Sequence, residues 1–287
     1  MAGQKATLLA ATIILTVVRP EDVRAELRRL GIRTSRALGQ HFLIDERVAH
    51  RHVESASIQQ DETVLEIGPG LGVLTRILAR HSRKVIAIEK DRRLADALGA
   101  IGNNVEVIAA DALEVDWPSF GAMVANLPYA ISSPITFRLL DHKFDRAALM
   151  FQQEFSERMV AKPGGKAYSR LTVGVHYRAE CTLIERVPRS AFYPIPKVDS
   201  AIVRLVPRPP PYDVHDEAVF HRIVSACFRH RRKTIANALA LSWREFASNP
   251  SDVRKVVHDM SFQNRRAESL SPNDFADLAN AFVRAKG

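Results

Sequence analysis

The first chemically suggestive feature is a glycine-rich turn at residues 64–72, whose sequence is VLEIGPGLG. An apolar, β-branched run leads into Gly68, and a helical pattern follows Gly72. Glycine allows the backbone to approach a ligand closely, and the start of a helix supplies free N–H groups. The turn predicts a ligand site at the end of a strand, but a glycine turn alone is a weak signal because many α/β proteins contain one.

Two acidic residues that end later strands sharpen this prediction. Glu89 ends the second predicted strand, about 20 residues beyond Gly68, where a carboxylate can accept hydrogen bonds from a ribose diol. Asp111 ends the third predicted strand, and the carboxyl ends of parallel strands line the ligand crevice of an open α/β sheet. The ordinary alternative is a tight turn with exposed acidic residues.

A dinucleotide is the first rival ligand for this turn. The glycines are spaced Gly-x-Gly-x-Gly and not Gly-x-Gly-x-x-Gly, and Glu66 comes just before them. A carboxylate at that point repels a pyrophosphate but suits the ammonium group of a methionine moiety. The pattern therefore favours S-adenosylmethionine over NAD as the cofactor.

The tetrapeptide Asn126-Leu127-Pro128-Tyr129 follows the fourth predicted strand directly. It resembles the motif of amino-methyltransferases that modify the N6 amine of adenine, a poor nucleophile whose lone pair is delocalised into the ring. The Asn126 side-chain oxygen and the Leu127 carbonyl can accept hydrogen bonds from that amine and orient its lone pair. Pro128 fixes the turn without a competing donor, and Tyr129 offers a face for base stacking. No general base is required before attack, because the amine becomes acidic only after methylation.

An alternation of strands and helices must position these residues. Strands are predicted at 63–67, 84–88, 105–108, 122–124 and 147–151, and helices at 71–81, 92–99 and 132–140. This order predicts an α/β fold with a mostly parallel sheet, here of the Rossmann-like class I methyltransferase type. Further strands are predicted at 173–177, 181–187 and 201–206. The last two have no helix between them, so an antiparallel edge is expected.

The chain divides by composition into four parts. Residues 1–19 are expected to be an unstructured or weakly docked extension, because their apolar run is too short to cross a bilayer and lacks a signal-peptide cleavage pattern. Residues 20–206 form the predicted catalytic domain, and the proline-rich stretch 207–212 is the predicted linker. Residues 213–287 contain only helical patterns and predict a small all-helical domain.

The overall charge narrows the class of partner. The 287 residues carry 41 Lys and Arg against 32 Asp and Glu, a formal net charge of +9. Such a surplus favours a polyanion, nucleic acid before membrane, although a solvated basic surface is the plain alternative. Two cysteines without a Cys-x-x-Cys pair fit a reducing, cytoplasmic setting and give no reason to expect a metal site.

Five motifs in order extend the resemblance from about Ser35 to the C-terminus. They are LGQHFLID at 38–45, the glycine turn, the tetrapeptide, FYPIPKVDS at 192–200 and FRHRRKTIANAL at 228–239. Together they are similar to the ribosomal RNA adenine dimethyltransferases of the KsgA type. This resemblance implies an enzyme that uses S-adenosylmethionine to dimethylate two adjacent adenosines near the 3′ end of small-subunit rRNA, within a pre-ribosomal particle. It gives no reason to expect an obligate protein partner.

The resemblance also implies individual roles. His41, Leu43, Gly68, Glu89, Asp111 and Asn126 are expected to contact the cofactor: His41 and Leu43 from the N-terminal segment, Gly68 at its methionine part, Glu89 at the ribose, Asp111 at the adenine and Asn126 at the methyl group. Many relatives have Asn at the position of His41. Phe192 resembles the aromatic residue that sandwiches the target base opposite Tyr129, and a core phenylalanine is the equally plain reading.

A basic run supplies the predicted RNA contact. Its members are Arg229, Arg231, Arg232 and Lys233 with His230 between them, and neutralising Arg231 and Arg232 is expected to weaken RNA binding. A second patch is expected from Arg24, Arg28, Arg29, Arg33 and Arg36. Two other functions stay open: a methyltransferase of large-subunit rRNA, as in the macrolide-resistance enzymes, and a ribosome-assembly or transcription factor that has lost catalysis.

Overall fold

The computed structural model describes residues 19–32 and 41–285. The predicted N-terminal extension, Arg33, Arg36 and the first three residues of the 38–45 motif therefore lie outside the described residues. The chain forms two compact units, one of residues 1–156 and 182–207 and the other of residues 157–181 and 208–287.

The first unit contains a mostly parallel sheet with helices between its strands. Its elements along the chain are α1 (Pro20–Arg29), β1 (Phe42–Leu43), α2 (Glu46–Ser55), β2 (Thr63–Ile67), α3 (Val73–His81), β3 (Lys84–Glu89), α4 (Arg92–Leu98), β4 (Val105–Ala109), β5 (Ala122–Asn126), α5 (Ser132–Leu140), β6 (Arg146–Gln152) and α6 (Gln153–Met159). After the helix α7 (Arg170–Arg178) come β7 (Ala179–Val187), β8 (Phe192–Tyr193) and β9 (Ser200–Pro207).

The strand order fixes where a ligand can bind. In the described residues the large sheet has seven strands in the order β4-β3-β2-β5-β6-β9-β7. The strands from β4 to β6 are parallel, and β9 runs antiparallel to β6, as the predicted edge requires. The chain winds outward from β2 to β4 on one side and from β5 to β6 on the other. The crevice between β2 and β5 is thus the topological switch point at which open α/β sheets bind ligands.

Burial explains why these segments form a central sheet. Val64, Leu65, Met123, Val124 and Leu149 are all fully buried, so the central strands are apolar on both faces. Strands covered by helices on both sides have this continuous apolar pattern and not an alternating one. A separate two-stranded sheet pairs β1 with β8 in antiparallel register and brings the 38–45 and 192–200 motifs together.

The second unit is helical, as predicted for the C-terminal part. Besides α7 it contains α8 (Glu217–Arg229), α9 (Ile235–Leu241), α10 (Pro250–His258) and α11 (Pro272–Arg284). The Ser271 side chain accepts from the Asp274 N–H and the Asp274 side chain accepts from the Ser271 N–H, which is the capping box expected at the start of α11. Phe220 and Phe275 are fully buried in its core.

One predicted strand is wrong. Residues 173–177 lie in the helix α7, not in a strand. Val173, Val175 and Tyr177 alternate as a half-buried strand would, but the intervening Gly174 is buried too, and His176 is the one exposed residue of the five. Tertiary burial in the core of the second unit has overridden the local β propensity.

The unit boundary also differs from the one drawn from composition. The last crossing between the units falls at residues 207–208, where the proline-rich stretch begins. Residues 157–181, however, pack with the second unit, because Tyr168, Val173 and Tyr177 belong to its core together with Phe220. Composition did not show this, because the proline and glycines of the segment lie inside it, at 163–165, and not at its ends.

Candidate active site

A cavity opens at the carboxyl ends of β2 and β5, at the switch point of the sheet. It is bounded by the glycine turn after β2, the tetrapeptide after β5 and the short strand β1. Most of the residues predicted from the sequence meet there. Its lining includes His41, Leu43, Glu66, Gly68, Gly70, Glu89, Asn126, Leu127, Pro128 and Tyr129.

The glycine turn has a backbone conformation that favours glycine at all three of its glycine positions, and two of them face other elements of the site. Gly68 and Gly70 have φ angles of +67° and +58°, in the left-handed region that side chains disfavour. A Cβ on Gly68 would lie 3.2 Å from Pro128, and one on Gly70 would lie 3.1 Å from the Phe42 ring. The turn therefore forms a tight backbone cradle against two other site elements.

Glu66 is a buried carboxyl group aimed at this cavity. The residue is 1% exposed, and its Oε2 has no hydrogen-bond partner among the described residues. Burial raises the pKa of Glu66 to about 8, the nearby charge of Glu89 adds to this, and Arg76 opposes it. An unpaired carboxyl in such a place is costly unless a cationic ligand compensates it.

Glu89 lies where a ribose acceptor is expected. Its two carboxyl oxygens accept from the Gly70 N–H at 3.1 Å and from the Asp91 N–H at 2.9 Å. These bonds fix the carboxyl against the glycine turn and leave further lone pairs free towards the cavity. Burial raises the pKa of Glu89.

Asp111 is not brought into the cavity lining. Its carboxylate pairs with Lys90 at 2.6 Å and accepts from the Leu113 N–H at 2.9 Å. The Lys90 ammonium holds the pKa of Asp111 below its usual value. Its contact with an adenine therefore stays a prediction.

Asn126 is held so that its acceptor is free. Its Nδ2 donates to the His41 carbonyl at 3.3 Å, and its Oδ1 accepts no hydrogen bond from the described residues. The next residue is anchored because the Leu127 N–H donates to the Met150 carbonyl at 3.3 Å. Within the described part of the chain no donor reaches the Leu127 carbonyl either. Two neighbouring oxygens thus remain available to one amino group.

Tyr129 stands next to these acceptors and is positioned by two contacts. Its hydroxyl and the Ser200 hydroxyl are 2.9 Å apart, and its ring lies 5.4 Å from the His41 ring. The His41 Nδ1–H donates to the Pro194 carbonyl at 2.6 Å. The first, third and fourth motif segments are therefore linked through His41, although they are far apart in the chain.

Phe192 lies in the hydrophobic core. It is 1% exposed and pairs with Leu43 across the β1–β8 ladder, among the buried residues that support β2 and β5. Its side chain is not part of the cavity lining described above. Its stacking on a target base therefore stays a prediction, and the plain reading as a core phenylalanine fits the observed burial.

Two members of the basic run in the second unit are already paired. Arg229 contacts Glu245 at 2.6 Å and Arg231 contacts Glu268 at 3.0 Å. Arg232 and Lys233 are exposed and form no ion pair within the described part of the chain. Arg232 and Lys233 are thus the cationic groups of the run that remain available to a ligand. The RNA contact of all four residues stays a prediction.

One neighbouring basic segment was missed from the sequence. Arg231 also donates to the Lys166 carbonyl at 2.8 Å, which ties the exposed loop of Lys162 and Lys166 to the basic run. The loop sequence KPGGK is a visible signal of an exposed turn that carries charge. Its position beside the run depends on tertiary packing.

Within residues 19–32 and 41–285, no group of three or more His, Cys, Asp or Glu residues is arranged to hold a metal ion. No helix in the same ranges is long and apolar enough to cross a membrane.

The chain is similar to proteins described as ribosomal RNA methyltransferases. A "probable ribosomal RNA small subunit methyltransferase A" of Methanosarcina mazei is 46% identical over 269 residues, which is 92% of this chain and 98% of that protein. A protein with the same description from Thermococcus kodakarensis is 45% identical over 264 residues, 90% of this chain and 93% of its own.

The chain is also similar to two solved structures of methyltransferases. A dimethyladenosine transferase from Plasmodium falciparum has a TM-score of 0.73 and 32% identity, covering 86% of this chain and 98% of its own. The 23S rRNA methyltransferase ErmE has a TM-score of 0.63 and 31% identity, covering 84% of this chain and 99% of its own. The family described as ribosomal RNA adenine dimethylase matches residues 32–280. The chain therefore belongs to the ribosomal RNA adenine dimethylase family.

Proposed function

We propose that this protein transfers methyl groups from S-adenosylmethionine to the N6 amines of two adjacent adenosines near the 3′ end of small-subunit rRNA. The observation that carries the proposal is the pair of free acceptors at the mouth of the cavity, Asn126 Oδ1 and the Leu127 carbonyl. An exocyclic amine has two N–H groups, and two converging acceptors match them. The substrate would be the rRNA of a pre-ribosomal particle, so the site of action would be the cytoplasm.

The cavity suits S-adenosylmethionine on three counts. The Gly68–Gly70 backbone is close enough to its neighbours to contact a ligand directly. Glu66 supplies a buried carboxyl with an unused oxygen, which matches the ammonium of a methionine moiety. Glu89 presents a carboxyl at the end of β3, where a ribose diol is the usual partner. Bound there, the cofactor would supply an electrophilic methyl on a sulfonium.

The residues of the tetrapeptide would make the amine a better nucleophile. Hydrogen bonds from the amine to Asn126 and Leu127 favour a more tetrahedral nitrogen, and they direct its lone pair towards the cofactor end of the cavity. The nitrogen–carbon bond then forms as the carbon–sulfur bond breaks. The methylated nitrogen is cationic and loses its extra proton to water, so no protein base is required. Tyr129 would hold the base after it has left its stack.

Small-subunit rRNA is favoured over the large subunit as substrate. Relatives with 45–46% identity over about nine-tenths of this chain bear the small-subunit description, whereas the large-subunit enzyme ErmE has 31% identity. A ribosome-assembly or transcription factor without catalysis is disfavoured, because a protein freed from catalysis need not keep Glu66, Glu89 and Asn126 converged on one cavity.

The deciding experiment uses labelled S-adenosylmethionine with small subunits that lack the modification. Label is expected on two neighbouring adenosines near the 3′ end of the rRNA, mapped by nuclease digestion and mass spectrometry of nucleosides. Large subunits serve as the comparison substrate. Label confined to large-subunit rRNA would select the alternative, and label on neither would refute the proposed reaction.

A substitution tests the central role of the tetrapeptide. Asn126→Ala removes the free acceptor and the tie to His41, so the rate of methyl transfer is expected to fall by about a hundredfold or more, as for other preorganised hydrogen-bonding groups. Rates are measured under single-turnover conditions, with RNA binding followed separately. Binding should persist. Methyl transfer close to that of the unaltered protein would contradict the role given to Asn126.

A further inference from the structure

A second groove adjoins the candidate active site in the first unit. It is open, has a volume of about 600 Å³ and lies between the start of α1 and residues 190–195. Arg24 and Tyr193 form one wall, Ile44 and Phe192 contribute the apolar floor, and Pro194 and Ile195 line the rim. The proposed methyl transfer does not use this space, although Arg24 belongs to the second basic patch expected from the sequence.

The wall of the groove combines an aromatic ring with a cation. The Arg24 Nε–H donates to the Tyr193 hydroxyl at 3.0 Å, and the guanidinium carbon lies 5.7 Å from the ring centroid. Arg24 is exposed and has no carboxylate partner in the described ranges, so its charge remains available to an anion. A stacking surface beside an uncompensated guanidinium is suited to a nucleotide, which has a π face and a phosphate.

Strand geometry determines which aromatic residue faces the groove. In the β1–β8 ladder Phe42 is opposite Tyr193 and Leu43 is opposite Phe192. Successive side chains of a strand point to opposite faces. Phe192 is therefore buried in the core, whereas Tyr193 is half-buried and reaches Arg24.

The groove is joined to the active site through one residue. His41 donates to the Pro194 carbonyl on the groove side, and its ring lies 5.4 Å from the Tyr129 ring on the cavity side. Ile195, the next residue of the rim, is 64% exposed and so offers apolar surface beside the groove. A strand of RNA whose target base enters the cavity would thus meet the groove with an adjoining nucleotide.

We propose that the Arg24–Tyr193 groove binds the base and phosphate of a nucleotide next to the target adenosine. This proposal rests on the proposed function, because it requires an RNA strand at the cavity. Stacking on the wall would offset the unstacking of the flanking base when the target base is extruded. It would also give the enzyme a place for one adenosine of a pair while its neighbour is in the cavity.

The test is a thermodynamic cycle between the protein and the RNA. The probe is a fluorescently labelled single-stranded hexaribonucleotide with one adenosine, together with versions in which the base on its 5′ or its 3′ side is removed. Affinity is measured by fluorescence anisotropy in the presence of S-adenosylhomocysteine. The unaltered protein is expected to bind one of the two abasic versions about tenfold more weakly, the size of an ordinary base–aromatic stacking contribution.

Substitutions complete the cycle. Tyr193→Leu keeps apolar bulk against the core but removes the ring, so it should weaken binding of the intact hexamer about tenfold and show no further loss with the abasic version. Tyr193→Phe keeps the ring and should bind nearly as well as the unaltered protein. Arg24→Gln should weaken binding of all versions. Arg51→Gln is the matched control, because Arg51 is an exposed residue of the same unit that pairs with Glu185.

The outcomes separate this proposal from the proposed function. If removal of the base reduced the affinity equally for the unaltered protein and for Tyr193→Leu, the proposed role of the groove would be wrong. It would also be wrong if the unaltered protein did not bind the hexamer. Labelling of small subunits by the unaltered protein would leave the proposed reaction standing in either case. Thermal unfolding of each variant with and without S-adenosylhomocysteine verifies folding, since neither Arg24 nor Tyr193 lines the cofactor cavity.

Discussion

Glu66 has two properties that are seldom found together, full burial and an oxygen without a partner. With a pKa raised to about 8 by burial, the side chain is mostly neutral at pH 7 in the free protein. An ammonium group placed beside it favours the ionised form and lowers that pKa. Binding of the cofactor is therefore coupled to loss of a proton.

This coupling predicts a pH dependence of cofactor affinity. Between pH 6 and 7.5, where an α-amino group of ordinary pKa is still protonated, affinity for S-adenosylmethionine should rise with pH by up to tenfold per unit. Calorimetry in buffers of different ionisation enthalpy should detect release of about one proton. Glu66→Gln should abolish both effects and weaken binding. A pH-independent affinity in the unaltered protein would contradict the coupling.

The same carboxyl predicts a pH dependence of stability. Because the pKa of Glu66 is raised in the folded protein, the unfolded chain loses this proton at lower pH, so stability falls as pH rises from about 4.5 to about 8. Glu66→Gln removes this loss. The cofactor-free variant should gain in unfolding temperature relative to the unaltered protein at pH 8 and gain little at pH 5. If the difference in unfolding temperature between Glu66→Gln and the unaltered protein were the same at pH 5 and pH 8, burial of Glu66 would not be the cause of the pH dependence.

At the scale of elements, the site is a junction of loops that follow different strands. The glycine turn, the tetrapeptide and β1 are held together by close contacts: Gly68 against Pro128, and Gly70 against Phe42. The glycine turn and the tetrapeptide are each an ordinary strand end when considered alone. The parallel order of β3, β2 and β5 brings these strand ends and Glu89 to one edge of the large sheet. The strand β1, from the two-stranded sheet, completes the cavity by packing Phe42 against Gly70.

A pair of glycine substitutions distinguishes the energetic cost of a positive φ from the effect of a close contact with the Phe42 ring. Gly70→Ala and Gly164→Ala both put a side chain at a positive φ, +58° and +84°, which costs about 1–2 kcal/mol. The alanine at 70 also meets the Phe42 ring at 3.1 Å, whereas nothing lies within 4 Å at 164. Both variants should be destabilised, measured by chemical denaturation. Only Gly70→Ala should also lose affinity for the cofactor. An equal loss of affinity in both variants would contradict the role of the glycine turn in cofactor binding.

At the scale of the whole molecule, some of the described basic side chains form ion pairs with carboxylates and others do not. In the second unit Arg229 and Arg231 are engaged by Glu245 and Glu268, so their charges are largely compensated. Arg232 and Lys233 are exposed, and no carboxylate pairs with them in the ranges described. We therefore expect Arg232 and Lys233 to contribute more to RNA binding than Arg229 and Arg231, and the RNA contact of all four stays a prediction.

Salt dependence tests this assignment. Replacing both Arg232 and Lys233 with Gln should weaken RNA binding and reduce the slope of log K against log salt by about 1.4, or roughly 0.7 for each lost phosphate contact to a single strand. Filter binding to small-subunit rRNA between 50 and 200 mM salt, roughly the range in which such effects are large, gives the slope. Arg229→Gln is the control and should change the slope little. Equal slopes for the double variant and the unaltered protein would exclude these residues from the contact.

The sequence by itself determined the parts whose signals are local. Apolar runs and glycine turns located the parallel strands, the Ser271 cap located the last helix, and motif order identified the family. Residue type and position also singled out two side chains: Asn126, after a predicted strand, as a hydrogen-bond acceptor, and Glu66, just before the glycine turn, as a partner for an ammonium group.

Tertiary structure alone decided where long-range packing competes with local signals. Residues 173–177 alternate like a strand, but Gly174 is buried together with Val173, Val175 and Tyr177, and the segment is helical. Residues 157–181 join the second unit because their aromatic residues complete its core. Pairing of β1 with β8 determined that Phe192 is buried and that Tyr193 reaches Arg24. Such outcomes depend on contacts between residues far apart in the chain, and no local pattern in the sequence records them.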